Sequence, residues 1–259
     1  MGKYGEIASD FLTERTRILQ AMELSENRSL SLRMIGALAF RTHCPVHGAI
    51  QEALQRAFTD IDFVAYSDHF KHILRFLTDL GYRENKMVTR LFGEGRLIFE
   101  DPYSSLHLDV FLDKLDFCHV IPLKGRLEAD FPTMPLAELL LEKMQIVRIN
   151  EKDVIDTIML LREHTIGDSD DETIHAGVIS KLLGGDWGFW RTVTGNLTNV
   201  SQMMDSYSQL AEADRQVVRE RIAALRARID AEPKSQRWKM RATVGDRVKW
   251  YKDVEEMMR

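Results

Sequence analysis

Three aspartates carry the strongest chemical signal in the sequence. Asp60 and Asp62 open the run "DIDFVAY", and Asp109 lies in "LHLDVFLD". Ile61, Phe63 and Val64 mark the first run as a buried strand. Alternating Leu106, Leu108, Val110 and Leu112 mark the second. Side chains alternate between the faces of a strand, so Asp60 and Asp62 share one face. His107, Asp109, Phe111 and Asp113 share the face opposite the leucines. If the two strands are neighbours, ~4.8 Å apart, three carboxylates converge on one point. Like charges so placed cost free energy unless a cation lies between them. An all-oxygen carboxylate set is a hard site that suits Mg²⁺, with Mn²⁺ as a substitute. Two such ions ~3.5–4 Å apart can clamp the attacking and leaving oxygens of an in-line displacement at phosphorus.

Helices and strands must hold these acids in place. A helix is expected over residues 8–23, where Phe11, Leu12, Ile18, Leu19 and Met22 recur at roughly helical spacing. The apolar run "SLRMIGALAFRTHC" follows, broken by Gly36, and "AIQEALQRAF" (49–58) reads as a short helix. The acidic strand covers 60–66. "SDHFKHILRFLTDLGY" is the clearest helix, with Ser67 or Asp68 as its cap, Phe70, Ile73, Leu74 and Leu77 as its stripe, and Gly81 as its stop. "KMVTRLFGEGRLIFE" reads as two strands joined by a Gly-Glu-Gly turn, and "CHVIPL" as one more short strand. "MPLAELLLEKMQIVRI" is a helix with Pro135 near its first turn. "NEKDVIDTIMLLREH" is another, capped by Asn150 with Asp153 in a capping-box arrangement. The acidic "GDSDDE" (167–172) reads as a linker, and helices follow it. The expected class is α+β: a small mixed β-sheet core with flanking helices over 1–166, then an all-helical region over 173–259.

"IGALAF", "DIDF" and the later "HLDVF" together resemble the polymerase-β-type nucleotidyltransferase superfamily. The shared pattern is a glycine-containing turn at a helix start, an Asp-x-Asp strand and a third acid on a following strand. "LAELLLEKMQIVRINEKDVIDTIMLL" resembles the Leu-rich helix with a lysine, then an acidic block, of uncharacterised bacterial nucleotidyltransferases. Those are similar to the nucleotidyltransferase toxins of abortive-infection systems. The resemblance covers about residues 30–165. It implies Mg²⁺-dependent transfer of a nucleoside monophosphate from a nucleoside triphosphate, such as ATP, to a hydroxyl on an RNA end, a protein or a small molecule. It also implies roles. Asp60 and Asp62 would hold metal and triphosphate. Asp109 would bind the catalytic metal and activate the acceptor hydroxyl. Gly36 would let the backbone approach the phosphates, and Lys143 would reach them. Asp153 and Asp156 match the later acidic pair. The likeness to toxins implies an antitoxin-like protein partner.

A second reading is a nucleotide-binding or protein-interaction module with little turnover. It is favoured by Ala37, which stands where the family usually has a second glycine or a serine. A metal-dependent phosphohydrolase is a third, though only His107 is placed to add the histidine ligand such sites use.

Other residues surround the acids in sequence. Arg41 is a nucleotide-binding candidate, and Arg56, Arg90 and Arg96 could also offset phosphate charge, surface ion pairing being their bland use. His107 alternates with Asp109 and could line the same pocket. His43, Cys44 and His47 cluster without a fourth zinc ligand at a recognisable spacing. "GGDWGFW" reads as a packing motif that buries Trp187 and Trp190. From Lys234 onward the chain is basic, with Trp238, Trp250 and Tyr251 interleaved. That composition fits single-stranded RNA contacts or, alternatively, a solvated and partly mobile tail.

Bulk properties exclude several classes. With 259 residues, 44% hydrophobic and 29% charged, the chain has an ordinary globular composition and length enough for a core. A net charge of −5 argues against a protein that coats nucleic acid over its whole surface. Cys44 and Cys118 are too few for a disulfide framework. The charged N-terminal stretch is unlike a signal peptide, and no apolar run nears the ~18–20 residues that span a bilayer. A cytoplasmic protein without a membrane partner is expected.

Overall fold

The structure is a computed structural model and describes residues 3–24, 27–91, 95–104 and 106–254. Along the chain come α1 (Lys3–Glu23), β1 (Arg33–Ile35), α2 (Gly36–His43), α3 (Ala49–Ala53), β2 (Ile61–Ala65) and α4 (Phe70–Asp79). Next are β3 (Arg83–Glu84), α5 (Lys86–Leu91), β4 (Arg96–Glu100), β5 (His107–Leu112), β6 (Lys114–Asp116) and β7 (Val120–Pro122). The remainder comprises α6 (Leu136–Met144), α7 (Glu151–Glu163), β8 (Thr165–Gly167), β9 (Thr173–His175), α8 (Ala176–Gly185), α9 (Trp187–Met203), α10 (Glu212–Ala231) and α11 (Gln236–Val244). The class is α+β: a mixed sheet with flanking helices, followed by helices.

Two compact units form. The first takes Met1–His43, Ala57–Leu115 and Pro122–Pro135; the second takes Cys44–Arg56, Asp116–Ile121 and Leu136–Arg259. Residues 136–166 thus belong with the helices that follow them rather than with the sheet.

The first unit is built on a five-stranded sheet in the order β1-β2-β5-β4-β3. β2 and β5 run parallel at its centre, and the other pairs are antiparallel. Both central strands are apolar: Ile61, Phe63, Val64, Leu108 and Val110 are fully buried. α4 buries Ile73 and Leu77 of its expected stripe together with Phe76, while Phe70 and Leu74 are half-buried. Its stop is also as expected. Gly81 takes φ +96°, and the Tyr82 N–H reaches back to the Leu77 carbonyl. Its start is not. Neither Ser67 nor Asp68 caps α4; a 3₁₀ turn (Ser67–His69) leads in, and the Ser67 N–H donates to Asp113 Oδ1 at 3.0 Å. The first of the two strands expected in "KMVTRLFGEGRLIFE" is instead the helix α5, which packs on β4. In the expected turn between them, Gly93 and Glu94 lie outside the described residues.

The second unit is mostly helical. α6 and α7 pack together, and α10 lies against α7, α8 and α9. The Asn150 side chain accepts the Asp153 N–H and so caps α7, as expected. α3 is shorter than its sequence pattern suggests, ending at Ala53. The acidic 167–172 stretch connects two parallel strands, β8 and β9, whose register pairs Ile166 with Ile174. It is therefore internal to this unit. The basic C-terminal region is also seated rather than loose: α11 packs on α8 and α9, and the Trp250 indole N–H donates to Thr192.

Among the described residues, no helix is long and apolar enough to cross a membrane.

Candidate active site

One row across the sheet of the first unit holds two of the three acids. Ile35 pairs with Asp62, Asp62 pairs with Asp109, and Asp109 pairs with Ile98. Residues paired in register on adjacent strands present their side chains to the same face, with the strands ~4.8 Å apart. Asp62 and Asp109 are therefore side-by-side carboxylates. Asp60 lies just before β2, half-buried, two residues from Asp62.

Asp109 does not face solvent. It is 2% exposed, because Arg96 lies across it. Arg96 Nη2 donates to Asp109 Oδ2 at 2.5 Å, and its guanidinium carbon sits 4.8 Å from the centre of the Phe111 ring. The strand alternation that puts His107, Asp109 and Phe111 on one face thus holds. His107 is the exposed end of that row, opposite Glu100. Asp113 leaves the strand at φ +64° to cap Ser67 instead.

Gly36 closes the site from the other side. It is the first residue of α2, with φ +69°, a region favourable only to glycine. A Cβ there would lie 2.9 Å from Asp62 Oδ2. The glycine thus allows a helix start to sit directly against an acid of the row. Arg41 follows in the same helix, half-buried. Arg15 on α1, absent from any sequence motif, lies within electrostatic reach of it. Burial, and then the charge of Arg41, lower the proton affinity of Arg15, and its Nε makes no hydrogen bond.

The remaining sequence candidates gather elsewhere, within the second unit. Lys143 Nζ lies 3.0 Å from Glu142 Oε1, 3.5 Å from Asp156 Oδ2 and 3.7 Å from Asp153 Oδ1. Arg56 grips Asp156 with two nitrogens, at 2.9 and 3.1 Å, and Gln51 adds a third donor at 2.9 Å. Burial lowers the proton affinity of Lys143, but Glu142, Asp156 and Asp153 together outweigh it and hold the ammonium charged. Burial raises the Asp153 carboxyl above its ordinary range, opposed by Lys143.

The histidine cluster separates. His43 Nε2 lies 3.3 Å from Asp130 and also meets the Thr133 hydroxyl. His47 pairs with Glu163 at 2.6 Å, and the Val46 and His47 N–H groups donate to the same carboxylate.

The donor set Asp60, Asp62 and Asp109 is all oxygen, and the row geometry brings two of its carboxylates side by side. That chemistry fits a hard divalent ion such as Mg²⁺. Sequence reasoning missed Arg15 and the partner of Arg96. Arg96 was legible only as a cation near the sheet, because its partner depends on the pairing of β4 with β5. Arg15 had no signal beyond its charge. No family model matches the chain, and no curated protein matches it.

Proposed function

We propose that the first unit transfers a nucleoside monophosphate from a nucleoside triphosphate to a hydroxyl acceptor. The observation that carries this reading is the Asp62–Asp109 register pair with Gly36 packed on Asp62. Asp62 and Asp109, with Asp60, would hold Mg²⁺. When bound, the ion would neutralise the triphosphate and stabilise charge at the displaced oxygen. Gly36, lacking a Cβ, lets the start of α2 lie directly against Asp62, beside which the triphosphate would bind. Arg15, whose buried Nε makes no hydrogen bond, would donate to a phosphate oxygen. In the reaction, the acceptor oxygen bonds to the α-phosphorus and the α–β bridge breaks. Pyrophosphate leaves with the broken bond's electron pair, and an Asp109 carboxylate oxygen takes the hydroxyl proton.

A second reading, a binding module with little turnover, draws on the Arg96–Asp109 pair, since an arginine already offsets that acid. One calorimetric titration separates the two. Each of the four ribonucleoside triphosphates is added with and without Mg²⁺ to the wild type, Asp62→Ala and Arg15→Gln. Transfer chemistry requires Mg²⁺-dependent binding, lost in Asp62→Ala and weakened about tenfold in Arg15→Gln, the scale of one charged hydrogen bond. Binding indifferent to Mg²⁺ and Asp62 favours the module. No triphosphate binding by folded protein sinks the transfer reading and leaves a protein-interaction module.

A further inference from the structure

The four tryptophans of the chain, Trp187, Trp190, Trp238 and Trp250, form one cluster in the second unit. Trp187 contacts Trp190 and Trp250 at ring distances of 6.3 and 6.1 Å, and Trp190 contacts Trp238 at 5.2 Å. The segment after α11 is fixed onto this cluster. Gly188 has no room for a Cβ, which would meet the Trp250 carbonyl at 2.6 Å, and the Lys252 N–H donates to the Cys118 carbonyl.

Beside the cluster lies an open cleft of about 490 Å³, within the ~300–1,000 Å³ typical of ligand sites. Trp238, Trp250 and Tyr251 form its aromatic wall. Arg237, Arg241, Lys249 and Lys252 also line it, against a single carboxylate among the described residues, Asp186, whose Oδ1 is engaged in capping α9. A cationic cleft on a chain of net charge −5 is a local reversal of sign. Arg241 is structural: it stacks on Trp187 and donates to the Gly245 and Val248 carbonyls. The other three are exposed. Lys249 and Lys252 pair with Asp253 and Asp116 at the surface, contacts weak enough to exchange for phosphate. Arg237 has no acidic partner among the described residues.

We propose that this cleft binds a single-stranded polynucleotide. Unpaired bases lie against Trp238 and Trp250, and the phosphodiester chain runs past Arg237, Lys249 and Lys252. Cations alone would accept any polyanion. The aromatic wall selects one that offers planar faces, and a duplex hides those faces in its own stack. The proposal does not depend on transfer chemistry in the first unit.

The test uses the full chain with a fluorescein-labelled twelve-nucleotide oligouridylate, its deoxy counterpart, a duplex of equal length and UMP. Binding is read by anisotropy and by quenching of tryptophan emission, which in this chain reports only on the cluster. Single strands are expected to bind at low salt, to quench emission, and to weaken steeply as salt rises. Arg237→Glu/Lys249→Glu, at exposed positions, should reduce affinity at least tenfold while leaving the thermal midpoint and Mg²⁺-triphosphate binding unchanged. Tighter binding of the ribo than the deoxy strand assigns the site to RNA; equal binding assigns it to either sugar. Absence of oligonucleotide binding overturns the proposal. So does a duplex or UMP bound as tightly as the single strand, or a double variant within twofold of wild type.

Discussion

Arg96 on β4 and Asp109 on β5 meet diagonally across the sheet. The strands pair antiparallel with Arg96 opposite Phe111 and Ile98 opposite Asp109, so the guanidinium lies over the Phe111 ring and reaches along β5 to the acid. The Asp109 side chain is 3% exposed and that of Arg96 is 16% exposed. A charge-assisted hydrogen bond and a cation–π contact thus hold a cation on the acid proposed to carry metal.

A cation resident on Asp109 competes with any divalent ion that Asp109 binds. Arg96→Ala should therefore destabilise the metal-free protein by about 3 kcal/mol, the scale of breaking a buried ion pair. It should also increase the stabilisation conferred by Mn²⁺. Thermal unfolding with and without Mn²⁺ measures both effects. An equal or smaller Mn²⁺ shift in the variant would show that Arg96 and the ion do not compete.

Gly36 gives a second handle on the same acid. Alanine there must adopt a left-handed backbone, at ~1–2 kcal/mol, and its Cβ would crowd Asp62 Oδ2 at 2.9 Å. Gly36→Ala should lose stability and Mg²⁺-triphosphate affinity together. Gly81→Ala, also at positive φ but with nothing within 4 Å of its Cβ, should lose stability alone. Parallel unfolding and titration curves for the two variants decide whether the close approach to Asp62 matters.

Lys143 neutralises a buried acidic group in the second unit. Lys143→Met removes a cation that Glu142, Asp153 and Asp156 share, and should cost ~3–5 kcal/mol. Urea unfolding measures the loss. Adding Asp153→Asn should recover part of it, because the second change removes one of the stranded charges. A loss under 1 kcal/mol for the single variant would mean that water reaches the cluster.

His119 makes stability depend on pH. Its ring stacks on Phe189 at 4.8 Å and bonds the Thr192 hydroxyl at 2.8 Å. Burial pushes its pKa down from an ordinary 6.5 to about 4, against a weaker upward pull from Asp186. Between those values the unfolded chain binds a proton that the folded chain refuses. The contribution is therefore complete above pH 6.5 and is lost progressively as pH falls toward about 4. His119→Gln should flatten that part of the thermal-midpoint profile. A slope unchanged in the variant would assign the acid sensitivity to other groups.

Much of the site was legible along the chain because strand alternation is local. The period of two put Asp109 with His107 and Phe111 on one face before any pairing was known, whereas Asp60, expected to open the same strand as Asp62, lies just ahead of it. The pattern of α4 and its Gly81 stop, and the Asn150 cap of α7, were legible for the same reason: each rests on contacts within a few residues. The helix α5 was not. "KMVTRL" mixes strand and helix formers, and its packing on β4 decided between them.

The sequence by itself determined that Asp109 shares a strand face with His107, where the main helices run, and that charge and aromatic residues concentrate near the C-terminus. Tertiary structure alone decided that Asp62 stands opposite Asp109, that Arg96 covers Asp109, that residues 136–166 join the helical unit, and that the basic C-terminal region is seated on a tryptophan cluster. The reason is register. A slip of one residue between β2 and β5 would turn one of the two acids to the opposite face, so the long-range strand pairing, which the local pattern does not contain, brings the carboxylates together.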